Sequence, residues 1–396
     1  MNGKQMNSKQ RLAVAMQHGI PDRVPWMCQL ALGHYFLNTG LRPHEIWFTS
    51  EGFAEALITL QQRYGFDGIL INLPGRDPNW REQARSISTT GEGEIVHWWN
   101  GDETFIPWND NPQHRPANPA AARPIFADFD PDHDFDVDWT MYTWGIYHTP
   151  VLPGKLSGLL TALPDYFLRT IDLVKARVGD EIAVHGEVFS PFTHLMELFS
   201  YEDALLNLAL NPDKALAILD RLTEASIAWG LQQARHGVDA VLISSAYAGG
   251  GFISKRMYER FVLPYEKRLV DALHTAAPGV PVYTHTCGRL GDRLELLMAT
   301  GTDGVDTLDP PPIGDTDLAD AKRRIGDRLF IKGNMNAVFM LQAESVEAVL
   351  DHARARLRDG MPGGGYILSS ACSVGPLVPP ERLAALYALV AAEGWY

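Results

Sequence analysis

Residues 280–290 read VPVYTHTCGRL, a short β-like run that passes directly into a histidine and a cysteine two residues apart. In a strand, residues i and i+2 point to the same face. His285 and Cys287 therefore reach one point in space at the strand's end. A ring nitrogen and a sulfur converging there propose a metal site. The ordinary alternative is a hydrogen-bonded histidine beside a buried thiol, and at this point both stand.

The same kind of run recurs along the chain. DRVPWMCQLAL from Asp22 reads as a first strand and DGILINL from Asp67 as a second. IAVHGEVFS from Ile182, AVLISSAY from Ala240, GVDTLD from Gly304, LFIKGNM from Leu329 and YILSSAC from Tyr366 complete a set of eight with VPVYTHTC. Helical patterns separate most of them. Ser8 is expected to cap a helix ending at Gly19, and Asn211 a long helix that starts at Pro212 and stops at Gly237. Ser254 opens another, which Pro264 is expected to kink or break. Eight buried-type strands alternating with helices define an α/β fold, a single (β/α)8 TIM barrel over residues 1–396. A doubly wound sheet is the alternative, weakened because no Gly-x-Gly-x-x-Gly turn follows an early strand.

One spacing is irregular. Residues 74–181, between the second and third strands, form an insertion expected to cap the barrel mouth. It holds Trp80, Trp98, Trp99, Trp108, Trp139 and Trp144. These either pack the cap onto the barrel or wall a flat ligand. Its alternating aspartates, Asp128 to Asp138, lack the glycine and glutamate of a calcium loop, and a solvated acidic loop is the better reading.

The 396 residues carry 46% hydrophobic and 21% charged side chains, as a globular protein does. A net charge of −14 disfavours nucleic acid and anionic membranes as partners. MNGKQMNSKQ has no apolar core, so no signal peptide is expected; no apolar run of about 18 residues stands in the sequence, and three cysteines do not make a disulfide framework. A cytoplasmic location is expected.

Reactive residues of a barrel sit at the C-terminal ends of its strands. His285 and Cys287 end the fifth run and Cys372 the eighth, so two of the three cysteines fall on that face. A His, Cys, Cys set with one exchangeable position describes catalytic zinc. Glu187, near the end of the third strand, is either the fourth ligand or a catalytic carboxylate of a polar pocket. His185 shares its face at a deeper level and reads as a hydrogen-bonded core residue. Cys28 reads as a small core residue.

Taken in order, RLAVAMQHGIPDRVPW, GVDAVLISS with MYERFVLPYEKRLVDAL, YTHTCG, IKGNMN and GGGYILSSAC resemble the uroporphyrinogen decarboxylase superfamily. The resemblance covers nearly the whole chain apart from the Trp-rich excursion. One branch of that superfamily decarboxylates uroporphyrinogen without a metal. The other comprises zinc methyltransferases that work with corrinoid proteins. Decarboxylases carry an arginine-rich segment after the first strand, where this chain has CQLALGHY. They also carry an aspartate where it has Asn72, and a Gly-His-Gly setting where it has SACSVG. The zinc branch instead resembles His285, Cys287 and Cys372. The resemblance thus implies a zinc-dependent methyltransferase, with Glu187 less certain as a ligand. The Trp-rich cap points to a methoxylated aromatic as methyl donor, hence O-demethylation. No histidine stands in the Asp-x-His-x-x-Gly setting of cobalamin modules, so the corrinoid is expected on a separate partner protein. The other expected partners are a small-molecule methyl donor or acceptor and a second copy of the chain in a homodimer. The rival readings are a decarboxylase or lyase with a non-porphyrin substrate, and a zinc-stabilised scaffold.

Overall fold

Apolar runs too short to cover themselves with polar residues must be covered on both faces, and these are. The computed structural model describes residues 5–118, 124–134, 142–143, 146–147 and 163–396. Seven strands form one parallel sheet in the order β1 (Gly68–Ile71), β8 (Ala183–Phe189), β9 (Ala240–Ser244), β10 (Val282–Thr286), β11 (Gly304–Thr307), β12 (Phe330–Met335) and β13 (Tyr366–Ser370). Every residue of these strands is buried. Helices cover the outside, and the fold is α/β with a curled, TIM-barrel-like sheet.

The first expected strand is not a regular one. Residues 23–30 make only isolated bridges, parallel from Trp26 to Leu368 and from Leu30 to Val374. Pro25 has no N–H to give to a ladder. Its carbonyl accepts from Leu368 N at 2.9 Å, and Met27 N returns a bond to Leu368 O at 3.1 Å. On the other side Asp67 N donates to Trp26 O at 2.8 Å. The segment therefore bonds to both edges of the curled sheet, β13 and the residue preceding β1.

Alternation sorts the inward residues into layers. Met27, Leu70, Ala183, Ala240, Leu242, Tyr283, Phe330 and Ile367 form one buried cluster with Leu12, Ala15 and Met16 of the helix Ser8–Met16. That apolar layer and its helix plug close the lower end. Each fully buried leucine or methionine there contributes about 1.5–3 kcal/mol. Two residues further along the same strands, the inward side chains turn polar: His185 then Glu187 on β8, His285 on β10, Asp306 on β11 and Lys332 on β12.

Two of the three expected caps differ in detail. Asn7, not Ser8, caps the first helix, and Gln10 completes a capping box. Asn211 stands at the N-cap position but makes no side-chain cap; its amide donates to Asn207 Oδ1 instead, at 2.7 Å. Ser254 does cap, through Met257 N, and the helix breaks at Pro264 into Lys255–Phe261 and Leu263–Ala276. No helix among the described residues is long and apolar enough to cross a membrane.

Within 74–181, strands β2 (Ala84–Thr89), β3 (Gly93–Trp98), β4 (Glu103–Pro107) and β5 (Gln113–Arg115) form an antiparallel sheet. β6 (Tyr142–Thr143) and β7 (Ile146–Tyr147) form a hairpin. Phe48, from the helix Pro43–Phe48, stacks on Trp80 at 4.8 Å and meets Trp98 edge-on at 5.3 Å. Glu94 accepts from both His44 N and His44 Nδ1. Phe126 and Phe129 pack on Phe199 of the helix Pro191–Phe199. Trp80 and Trp98 are thus packing residues, Trp99 is exposed, and Trp108 lies under the Arg42 guanidinium. Trp139 and Trp144 lie outside the described residues, as do Asp136 and Asp138.

Candidate metal centre

Tyr283, His285 and Cys287 follow one another on the inward side of β10 and the turn beyond it. Tyr283 stays in the apolar layer, where its hydroxyl meets His185 Nδ1 at 2.9 Å. Burial pushes His185 down to about 4, so it is the neutral, hydrogen-bonded core histidine expected. One layer up, His285 Nε2 lies 3.3 Å from Cys287 Sγ, and Cys287 Sγ lies 3.7 Å from Cys372 Sγ. The three ligand atoms all fall within 4.8 Å of one another. Residues separated by 85 positions are brought together because β10 and β13 both end at this mouth.

Local backbone makes the turn after β10 tight. Gly288 has φ of +81°, and Asp309 Oδ2 accepts its N–H at 2.7 Å. A Cβ on Gly249 would sit 2.1 Å from Cys287 O, so the glycines at 249–250 let that loop close over Cys287.

Crowding divides the protons of the three donors unevenly. A hydrogen bond from Cys287 pulls the Cys372 thiol well below its usual value, against the effect of burial and with help from His285. The same contact, together with burial, pushes Cys287 well up. Burial alone would lower His285, but Asp306 and the nearby Cys372 thiolate override it and raise it to about 10. The sulfur in direct contact with Nε2 is that of Cys287; Cys372 stands within 4.8 Å and acts as the neighbouring negative charge. One imidazole and two sulfurs form a donor set that can hold a metal ion, which must displace the extra proton on His285 and the thiol proton of Cys287 as it binds.

Glu187 is 4% exposed and not one of the three that converge. Its backbone is clamped from outside the sheet by Gln233, which accepts from Glu187 N at 3.0 Å and donates to Glu187 O at 2.7 Å. Gly186 leaves the room, since a Cβ there would lie 2.1 Å from Gln233 Oε1. Neither carboxyl oxygen has a hydrogen-bond partner. Burial raises the group to about 7, and the charge of His285 and the Ser244 hydroxyl only partly offset this. Ser244 is near enough to act electrostatically, but its geometry falls short of a hydrogen bond. A buried carboxyl with two orphaned oxygens beside such a donor set lacks a partner that the protein itself does not supply.

Cys28 is a core residue, 6% exposed, whose sulfur accepts from Ser370 N. Sequence reasoning did not single out Asp306, Thr307, Asp309, Lys332 or Gln233. Asp306 Oδ2 lies 3.0 Å from His285 Nδ1, and Lys332 Nζ lies 2.9 Å from Asp306 Oδ1. Asp309 is raised to about 6, chiefly by burial. A signal existed for two of them: an aspartate in GVDTLD and a lysine in LFIKGNM interrupt runs that are otherwise buried-type, and such charges need partners.

Residues 158–392 match the model of the uroporphyrinogen decarboxylase (URO-D) family, more than half of the chain. The chain belongs to that family. A uroporphyrinogen decarboxylase of Alkalilimnicola ehrlichii is 29% identical over 229 residues, which cover 56% of this chain and 60% of that protein. A methylcobamide:CoM methyltransferase of Methanosarcina barkeri is 26% identical over 221 residues, 56% of this chain and 61% of that protein. The chain thus spans less than two thirds of the length of these curated relatives. A methyltransferase from Methanosarcina mazei shares the fold over 98% of both chains, with a TM-score of 0.69 and 18% identity.

Proposed function

We propose that the protein is a zinc-dependent methyltransferase. It would move a methyl group between a small methylated substrate and the cobalt of a corrinoid carried by a separate protein. The observation that carries this reading is the convergence of His285, Cys287 and Cys372 at the barrel mouth, their ligand atoms within 4.8 Å of one another. Relatives of both kinds, decarboxylase and methyltransferase, occur in the family. The residues favour the second kind: Asn72 stands where a decarboxylase would carry its aspartate, and SACSVG where it would carry its glycine-flanked histidine.

His285, Cys287 and Cys372 would hold the zinc, with Glu187 as fourth ligand or as the carboxyl next to it. Zinc there supplies Lewis acidity, either toward the oxygen of a methyl ether or toward a thiol acceptor. The chain's own residues do the rest. Glu187, with its raised affinity for a proton, gives or takes one at its orphaned oxygens. Its backbone, fixed by Gln233, keeps that carboxyl at one height in the barrel. The apolar layer below, sealed by Leu12, Ala15 and Met16, keeps water from entering from the opposite end. The excursion 74–181, anchored on helices that leave strand C-terminal ends, is proposed as the cap of this mouth. A methoxylated aromatic is the proposed donor, which makes the overall reaction an O-demethylation.

The test follows the cobalt spectrum when zinc-replete protein and its corrinoid partner are incubated with methoxyaromatics or methylamines, and, in reverse, with thiols. Growth or loss of the methylcobalt bands with one of them is the expected result. No change with any, together with carbon dioxide release from a carboxylated substrate, overturns the reading in favour of a decarboxylase.

A further inference from the structure

Lys332, Asp306 and His285 stand at one level on three adjacent strands. The register pairs His285 with Asp306 across β10 and β11, and Asp306 with Lys332 across β11 and β12. All three are buried, with 1–6% of their surface exposed. Lys332 Nζ donates to Asp306 Oδ1 at 2.9 Å, and Asp306 Oδ2 faces His285 Nδ1 at 3.0 Å. Thr307 joins them from the next position. Its N–H donates to Asp306 Oδ1 at 2.9 Å, and its hydroxyl oxygen lies 2.8 Å from His285 Nδ1. To do so it takes φ of +86°, a conformation that a β-branched residue adopts only under constraint.

A buried ion pair adds little net stability, because desolvation cancels most of the attraction. An apolar layer of the kind found just below would be at least as stable. Stability alone therefore does not explain why this pair stands directly behind His285. A neutral imidazole has one lone pair, and the nitrogen that keeps the hydrogen cannot ligate. With carboxylate and hydroxyl oxygens both facing Nδ1, the hydrogen belongs there, and Nε2 is the nitrogen left facing Cys287.

We infer that Asp306, Lys332 and Thr307 are positioning residues of the metal centre. Asp306 and Thr307 fix the ring and tautomer of His285, and Lys332 keeps Asp306 an acceptor at this depth. The inference rests on the zinc reading above and deepens it. Partners of this kind, one shell beyond the ligands, are generally worth about 10–100-fold in metal affinity.

The experiment measures zinc affinity by chelator competition in the full chain. It compares wild type with Asp306→Asn and with the charge-neutral double variant Asp306→Asn/Lys332→Met. The cobalt(II)-substituted absorption spectrum and the 15N shifts of labelled histidine in the zinc-loaded wild type are recorded alongside. Zinc binding about 10–100-fold weaker in the variants is expected, with displaced cobalt(II) bands. In wild type, His285 is expected to carry its hydrogen on Nδ1 with Nε2 bound. The double variant leaves no buried unpaired charge, so it carries the comparison if the single variant unfolds. The wild-type 15N measurement needs no variant at all. Folded variants with wild-type affinity and spectrum, or a wild type with Nδ1 bound, overturn this inference alone. A wild type that binds no zinc overturns the zinc reading and this inference together.

Discussion

Two buried charge clusters lie at opposite ends of this barrel, and they are built by opposite rules. At the lower end Asp67, fully buried, accepts from Arg11 Nη1 at 2.7 Å, Arg23 Nη1 at 3.0 Å, Arg23 Nη2 at 3.1 Å and Trp26 N at 2.8 Å. Arg11 is further held by Asp22. Charges and hydrogen bonds there are met within the chain, tying the plug helix and the irregular first segment to β1. At the upper end Glu187 has two orphaned oxygens, and two thiols and an imidazole crowd one another. The lower cluster is met wholly within the chain and ties the plug helix to the sheet, as architecture. The upper one stands behind donors and a carboxyl that the chain leaves unmet, so it is held in place by the rest of the fold and completed by something bound. The lower end of a barrel is where stability is built, and the upper end is where chemistry is.

That contrast can be broken by mutation, with the largest effect on stability at the lower end. Asp67→Ala strands Arg11 and Arg23 in the lower cluster. It should cost about 3–5 kcal/mol in urea unfolding. A loss below about 1 kcal/mol would mean that the lower cluster is not the structural one.

Glu266 is an intermediate case, a buried carboxyl outside the metal centre. It accepts from the Ser245 hydroxyl and, at 3.3 Å, from Tyr258 OH. Burial raises it to about 7, and those two hydrogen bonds pull back only in part. Because its folded value exceeds the ordinary one of 4.5, its stabilising contribution is complete below about 4.5 and is lost as pH rises through about 7. Wild type should therefore lose on the order of 3 kcal/mol between pH 5 and pH 8 that Glu266→Gln does not lose. Parallel urea midpoints at the two pH values check this. Equal slopes in both proteins would remove Glu266 from the account.

The smallest effect on stability is expected where the effect on metal is greatest. Cys287→Ser and Cys372→Ser should leave the metal-free protein within about 1 kcal/mol of wild type. Zinc content should fall from about one per chain to near none. Elemental analysis beside a urea curve reads both. Full zinc in either variant would remove that cysteine from the site, and unfolding of the metal-free wild type would make the metal structural instead.

Much of this was legible in the linear chain. The runs that became β1 and β8 to β13 stand out because a strand buried on both faces is apolar throughout. The placement of His285, Cys287 and Cys372 followed from strand ends and a two-residue period. The irregular first segment was misread as a full strand, because composition does not weigh one missing N–H at Pro25 against the ladder it interrupts. Of the tryptophans, the sequence offered packing or a ligand wall. Trp80 and Trp98 proved to pack on Phe48, a contact set by how the excursion folds back on a helix some thirty residues and more upstream.

By itself, then, the sequence determined the α/β class, the order of strands and helices, and the three candidate ligands, since each depends on local period and on residue type. Only the tertiary structure decided which residues stand behind those ligands. Asp306 faces His285 and Lys332 faces Asp306 through the register of parallel strands, which no local pattern encodes. Gln233 reaches Glu187 from a helix 46 residues further on, through the gap left by Gly186. Whether a buried charge is satisfied or orphaned is a property of its surroundings in space. It could be read only once β8, β10, β11, β12 and β13 had been brought to one mouth.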